Sequence, residues 1–317
     1  MADFSFSTSM TLMRRTAPFV VFRVIVYFAI AAAYVVVTGV GAGVGWGVGA
    51  MGSDDFQANA AFWGGAIGLG GTAAVIYFLR EYILYMVKAG HIAVMVEYLE
   101  GKDIPGGRGQ IEYAQAVVKN RFGQANVLFA LDQIIKGVLR AVTGLIGGLA
   151  SILPIPGMTG LMRLVRAFLR VAVGLLDEVI LAHLIRTRAK NPWSGARDAL
   201  VLYGQNAKPM LINAFWVALL VYVLSFVVFL VMLAPAAAVV YLIPGGWSAG
   251  GFIFAILFAW AVKAALIEPF AIACLLQAYN KVTEGQAPDP GWTEKLDSVS
   301  GKFRNLGERA VAAVSKH

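Results

Sequence analysis

Apolar residues form six runs along the chain, each long enough to cross about 30 Å of hydrocarbon as an α-helix. The runs cover residues 19–39, 60–79, 125–153, 158–180, 211–234 and 247–273. They pair as three hairpins because the connection within each pair contains neither Lys nor Arg, whereas the connections between the pairs are basic. The pattern predicts an all-α, polytopic membrane helix bundle of about six membrane helices, with hairpins at about 19–79, 125–180 and 211–273.

The basic residues predict the orientation of the chain. Lys and Arg concentrate in the connections 80–121 and 186–208 and in the segment after Lys281. By the positive-inside rule, these segments and both termini are cytoplasmic. The apolar run after Arg14 and Arg15 is longer than the core of a signal peptide and lacks a clear cleavage site. We therefore expect a retained first helix and an integral protein of the cell (cytoplasmic) membrane.

The composition agrees with a chain that lies in lipid. The sequence is 59% hydrophobic and only 14% charged, with a mean hydropathy of +0.72, whereas a soluble domain carries about a quarter charged residues. The formal net charge is +8, but the basic residues lie between apolar runs and not on one solvated face. The sequence therefore predicts the lipid bilayer as a partner and does not predict nucleic-acid binding.

The middle hairpin carries charge within its apolar runs. The charged positions fall on one stripe of each helix: Asp132, Lys136 and Arg140 in the first, and Arg163, Arg166, Arg170, Asp177 and Glu178 in the second. Each central Arg or Lys costs about 2.5–3.5 kcal/mol on insertion into a bilayer. The stripes therefore lie in the interface, pair with each other or line a wet cavity, and the sequence leaves all three arrangements open.

If the two stripes face one another, three carboxylates neutralise only part of five basic groups, and the excess positive charge favours an anion. The eight residues form the candidate substrate-binding site, and the predicted function is a transporter or channel-like protein for a small polar or anionic solute. The alternative is a non-transporting membrane scaffold or assembly factor that binds anionic lipid headgroups or partner proteins. A buried ion-pair network or snorkelling arginines would give the same pattern.

Glycine recurs through the first hairpin. If the chain is helical there, Gly41, Gly45 and Gly49 share one face and Gly64 and Gly68 share another. Faces of this kind let two membrane helices approach closely. If the chain is extended, the alternating glycines could present carbonyl groups to an ion as a selectivity filter does. Close helix packing is the favoured interpretation because an acidic, evidently exposed loop follows.

Each inward helix reaches a glutamate and then a proline: Glu81 and Pro105, Glu178 and Pro192, Glu268 and Pro290. This recurrence suggests three repeated units of about ninety residues. The alternative is that any helix that leaves a membrane meets a charge and a helix breaker. Amphipathic cytoplasmic helices are predicted near 111–121 and 194–206.

The segment 1–290 is predicted to be the membrane domain, and the tail 291–317 is predicted to form a further amphipathic cytoplasmic helix. The apolar stripe of the tail consists of Leu296, Val299, Phe303, Leu306 and Ala310. A basic amphipathic helix of this kind could lie on anionic lipid, pair with a neighbouring subunit of a homo-oligomer, or dock onto the chain's own cytoplasmic loops.

The histidines and the cysteine of the sequence give little support for catalysis or metal binding. His91, His183 and His317 are dispersed, and Cys274 is the only cysteine. The chain has no phosphate-binding glycine loop that ends in Lys-Ser or Lys-Thr. We therefore predict no enzymatic activity, no metal site and no cofactor.

The cytoplasmic stretch 195–206 resembles a segment of the choline transporter-like family that precedes a membrane helix. The matching positions are Ala196, Arg197, Asp198, Ala199 and Asn206, whereas Gln205 replaces the basic residue of the family pattern. The resemblance implies handling of choline-type solutes or lipid precursors. The basic middle hairpin, in contrast, favours an anionic solute.

Overall fold

The computed structural model describes residues 2–104, 109–122, 131, 133–138, 175, 177–242 and 250–314. The helices are α1 (Phe6–Arg15), α2 (Ala17–Gly49), α3 (Asp54–Leu99), α4 (Gln110–Phe122), α5 (Pro192–Gln205), α6 (Ala207–Leu242), α7 (Gly250–Val262), α8 (Glu268–Thr283), α9 (Pro290–Val299) and α10 (Gly301–Val314). Residues 133–138 and 177–186 are also helical. The described residues contain no strand, which confirms the all-α fold class.

Among the described residues, four helices are long and apolar enough to cross a membrane. They are Ala17–Gly49, Asp54–Tyr77, Ala207–Leu242 and Gly251–Thr283. These four correspond to the first and third predicted hairpins, as expected for a membrane protein. Their number is lower than the predicted six, and the two spans predicted within 125–180 lie largely outside the described residues.

The first hairpin is built on close contact between the glycine faces of α2 and α3. A Cβ atom at Gly41 would lie 2.3 Å from the carbonyl oxygen of Gly64, and a Cβ atom at Gly45 would lie 2.0 Å from that of Ala60. Only residues without a side chain permit such backbone contact. The predicted packing faces are confirmed, and the selectivity-filter interpretation is wrong because α2 is helical through Gly49.

The chain divides into two compact units. One contains Val20–Tyr85 and Val221–Glu268, and the other contains Met1–Phe19, Met86–Leu220 and Pro269–His317. The second unit has three fully buried helical stretches at its core: 89–97, 177–185 and 269–276.

The helices that contain these three core stretches end in the same way. A residue with left-handed backbone follows each one: Gly101 with φ 71°, Arg188 with φ 51° and Gly285 with φ 69°. A proline comes four or five residues later in each case. This common ending supports three repeated units. The glutamates, however, are not in register, because Glu81, Glu178 and Glu268 precede these residues by 20, 10 and 17 positions.

Arg188 is the one non-glycine residue with positive φ in the described part of the chain. It ends its helix with the bonds of a Schellman motif, in which the N–H of Ala189 reaches the carbonyl of Leu184 at 3.4 Å. Glycine adopts this backbone without steric cost. We therefore expect Arg188→Gly to stabilise the protein by about 0.5–1 kcal/mol. Thermal unfolding in detergent measures the change, and an unaltered or lower melting temperature would contradict it.

The first helix packs against the last core helix of the same unit. The rings of Phe6 and Phe270 lie 4.8 Å apart between centroids. The Ser9 hydroxyl lies 3.1 Å from the Cys274 sulfur, a contact between residues 265 positions apart. The beginning of the chain is therefore fixed by α8.

Candidate functional site

The structure describes three of the eight residues predicted for the middle hairpin: Lys136, Asp177 and Glu178. The remaining five lie outside the described residues: Asp132, Arg140, Arg163, Arg166 and Arg170. The part of the candidate site that can be placed is therefore the cytoplasmic end of the hairpin in the predicted orientation.

At this end, the two charged stripes pair with each other. Lys136 of the first stripe forms an ion pair with Asp177 of the second, with a distance of 3.4 Å between Nζ and Oδ2. The neighbouring carboxylate of Glu178 accepts a hydrogen bond of 2.8 Å from Lys88 of α3. Both carboxylates are buried. Of the three arrangements that the sequence leaves open, the described end of the hairpin favours pairing.

A second charged cluster, which the charge pattern does not predict, lies within the other unit. Arg23 of α2 has a fully buried side chain. Its Nη2 atom donates a hydrogen bond to the carbonyl oxygen of Ala264 and lies 4.0 Å from Oε2 of Glu268. Its guanidinium carbon lies 5.6 Å from the ring centroid of Tyr27. The signal that could have found this residue is a single arginine inside an apolar run.

A π-helical turn explains why Ala264 accepts a side-chain hydrogen bond. The turn covers Lys263–Ile267, and within it the N–H of Glu268 bonds to the carbonyl of Lys263. In an α-helix the same N–H would bond to the carbonyl of Ala264. The next residue, Pro269, has no N–H to offer. The carbonyl of Ala264 is therefore left open within the helix, and Arg23 satisfies it.

The same turn brings Lys263 and Glu268 together. Residues five positions apart diverge by about 140° around an α-helix but by much less around the wider π-helix. The Lys263 ammonium donates a hydrogen bond of 2.6 Å to Oε1 of Glu268. The sequence pointed to Glu268 as an acidic helix end but did not point to Lys263 as its partner.

Arg23 retains donors that no described residue accepts. Its Nε and Nη1 atoms are buried and have no hydrogen-bond partner in the described part of the chain. A buried donor without an acceptor costs about 1–3 kcal/mol, and more when the group is charged. Capping of the Ala264 carbonyl is a structural role for this residue, but it uses only Nη2. A small anion would satisfy the other two nitrogens.

The surroundings of Arg23 are mostly apolar. Tyr27, Ala31 and Leu84 of the first hairpin pack with Ala261, Ala264 and Ala265 of the third. Charge interactions are stronger in such surroundings than in water. Among the described side chains of the cluster, Arg23 and Lys263 are cationic and Glu268 is anionic, so these residues suit an anion better than a cation. Within the residues described, no group of His, Cys, Asp and Glu could hold a metal ion.

His183 is buried among the packed helices of its unit. Burial lowers its pKa to about 4, and the positive charge of Arg186 contributes in the same direction. The hydroxyl of Tyr279 lies 3.3 Å from its Nδ1 atom. At neutral pH this side chain is therefore uncharged within the packed helices.

The low pKa of His183 predicts a loss of stability in mild acid. The unfolded chain binds a proton at this residue below about pH 6.5, whereas the folded chain binds it only below about pH 4, so stability falls as the pH is lowered between these values. We expect the melting temperature of His183→Gln to change less between pH 7 and pH 4.5 than that of the original chain. Thermal unfolding in detergent measures this difference. Parallel profiles for the variant and the original chain would contradict this expectation.

The tail docks onto the chain's own helix α5. It forms two helices and not the single predicted one, because Ser300 ends α9 and its hydroxyl accepts a hydrogen bond from the N–H of Phe303 at the start of α10. Leu296, Phe303 and Leu306 of the predicted stripe are fully buried, but Val299 is 40% exposed. Arg197 of α5 forms an ion pair with Asp297 and stacks on the ring of Phe303.

Comparisons with family models, with curated proteins and with solved structures find no match for this chain. The resemblance to the choline transporter-like family therefore stays a prediction. The described part of the chain is all-α and contains four apolar helices of membrane-spanning length.

Proposed function

We propose that this chain is a multi-pass membrane protein that moves a small anion across the bilayer, as a transporter or channel-like protein. The observation that carries the proposal is Arg23, a fully buried cation in a spanning helix with two nitrogens that have no acceptor among the described residues. Ionisable residues in spanning helices are costly and are typically found on ion and substrate pathways. Chloride, a carboxylate or inorganic phosphate would fit these donors.

The position of the cluster along the helices supports this role. Lys263 lies 13 residues, or about 20 Å, from the beginning of α7 at Gly250. In the orientation proposed from the basic connections, with both termini cytoplasmic, the cluster lies toward the cytoplasmic side of the bilayer. An anion that reaches Arg23 would lose part of its hydration shell. Hydrogen bonds from the guanidinium donors would take the place of the lost water.

The middle hairpin carries the other cations of the proposal. We place its two helices across the bilayer as the third and fourth of six spans, with Arg140, Arg163, Arg166 and Arg170 attracting the anion. Asp132 would offset part of that charge, as Asp177 offsets that of Lys136. The solute is therefore expected to be anionic and not a choline-type cation.

Anion-dependent current tests the function directly. Purified protein is reconstituted into liposomes on a solid-supported membrane, and chloride, acetate or inorganic phosphate is applied at constant ionic strength against a bulky sulfonate. We expect a charge displacement above that of empty liposomes for at least one of these anions. Folded protein that gives no current with any of them would contradict the proposal and favour a membrane scaffold that uses its cations on lipid headgroups.

Cysteine labelling tests the proposed six spans. With Cys274 replaced by Ala, single cysteines at Gly157 and Thr159 should react with a membrane-impermeant maleimide added outside intact cells. Labelling only after permeabilisation would mean that the middle hairpin stays on the cytoplasmic side. That result would contradict the six-span arrangement.

A further inference from the structure

We infer that Lys263 is a positioning residue that holds the Glu268 carboxylate away from Arg23 and so keeps the guanidinium available to an anion. The inference rests on the proposed function, because it concerns the affinity of the same site. It assigns separate roles to the two cations: Arg23 contacts the anion, and Lys263 acts through Glu268.

The distances support this division. Glu268 is bonded to Lys263 at 2.6 Å through Oε1, whereas its Oε2 atom lies 4.0 Å from Nη2 of Arg23, too far for a hydrogen bond. The carboxylate is therefore close enough to compete for Arg23 but is bonded to the other cation. A carboxylate that closed on Arg23 would occupy the donors that a small anion needs.

The π-helical turn is what makes this arrangement possible. On a regular α-helix, Lys263 and Glu268 would lie on different faces and could not form this ion pair. The turn brings the two side chains close enough to form their ion pair, while Glu268 also lies near Arg23 of α2. Removing the Lys263 ammonium should therefore leave Glu268 as a competitor for the anion.

The test measures the half-saturating concentration and the maximal current for chloride, acetate and inorganic phosphate in reconstituted protein. We expect Lys263→Gln to raise the half-saturating concentration about tenfold with little change in maximal current. Lys263→Arg keeps the positive charge and should stay within about twofold of the original chain. Lys208→Gln, at an exposed lysine of α6, is the matched control and should change neither quantity.

The double variant separates positioning from direct binding. If Glu268 is the competitor, Lys263→Gln together with Glu268→Gln should bind the anion as tightly as Glu268→Gln alone. If Lys263 itself contacts the anion, the double variant stays as weak as Lys263→Gln, which would overturn the inference. Loss of the current in Arg23→Gln combined with an unaltered Lys263→Gln would also overturn it while leaving the proposed function intact.

When a variant gives little current, a binding measurement distinguishes a failure of the inference from a failure of the proposed function. The shift in melting temperature that each anion causes in detergent reports binding without transport. We expect the shift to decrease in Lys263→Gln and to return in the double variant. If no anion shifts the melting temperature of the original chain or drives a current through it, the proposed function itself is contradicted, and the inference with it.

Discussion

Replacing Arg23 with Gln is expected to abolish anion-dependent current. Arg23 is the buried cation of the proposed site, and Nε and Nη1 are the donors that the anion would use. A glutamine side chain carries no charge and offers only one amide group, so the attraction and most of the donors are lost. Removing one partner of a buried, charged hydrogen bond typically costs about 2–5 kcal/mol, so we expect at least a thirtyfold loss of apparent affinity in reconstituted liposomes.

Two further variants show whether this loss comes from the site. Arg14→Gln removes an exposed arginine near the same end of the chain and should leave the current unaltered. Arg23→Lys keeps the charge but loses the planar fork of donors, so partial activity is expected. Stability must be compared in parallel, because Arg23 also caps the Ala264 carbonyl. A folded Arg23→Gln protein with full current would show that Arg23 is structural only.

Replacing Gly45 with Leu is expected to prevent the first hairpin from forming. Even a Cβ atom at this position would lie 2.0 Å from the carbonyl oxygen of Ala60, which is backbone and cannot turn away. The two helices would have to separate, and the close contact that stabilises them in lipid would be lost. We expect destabilisation of at least about 3 kcal/mol, seen as a loss of monodisperse protein and a much lower melting temperature in detergent.

Gly43→Leu is the matched control for this substitution. Gly43 lies on the same helix, two residues earlier, and a Cβ atom there meets nothing within 4 Å. Both variants add the same apolar side chain and the same gain in helix propensity. The control should therefore fold like the original chain. If both variants fold equally well, the glycine contact does not stabilise the hairpin.

The first and third hairpins could be predicted because their physics is local. A run of apolar residues must form a helix in lipid, where no water satisfies the backbone. The glycine faces could be predicted as well, because a spacing of four residues places Gly41 and Gly45 on one side of a helix whatever its partner is. The tail was predicted to be helical, but its interruption depends on Ser300, whose hydroxyl begins a new helix.

The charged cluster was harder to predict because each of its parts depends on distant residues. Arg23 is a lone arginine inside an apolar run, but one such residue hardly changes the mean hydropathy of that run. The N–H of Glu268 could bond to the carbonyl of Ala264, as in an α-helix, or to that of Lys263, as in the π-helical turn. The sequence near Pro269 permits both patterns. Only the packing of α2 against this helix brings Arg23 to the open carbonyl of Ala264.

The contact between α1 and α8 has a consequence for biosynthesis. Ser9 leaves the ribosome long before its contact Cys274, which is 265 residues further along the chain. At about 5–20 residues per second, translation takes roughly 13–50 s to cover that interval. During this time α1 is made but its native packing surface is not. The nascent protein must therefore keep its first helix soluble or on the membrane surface until the final hairpin has been inserted.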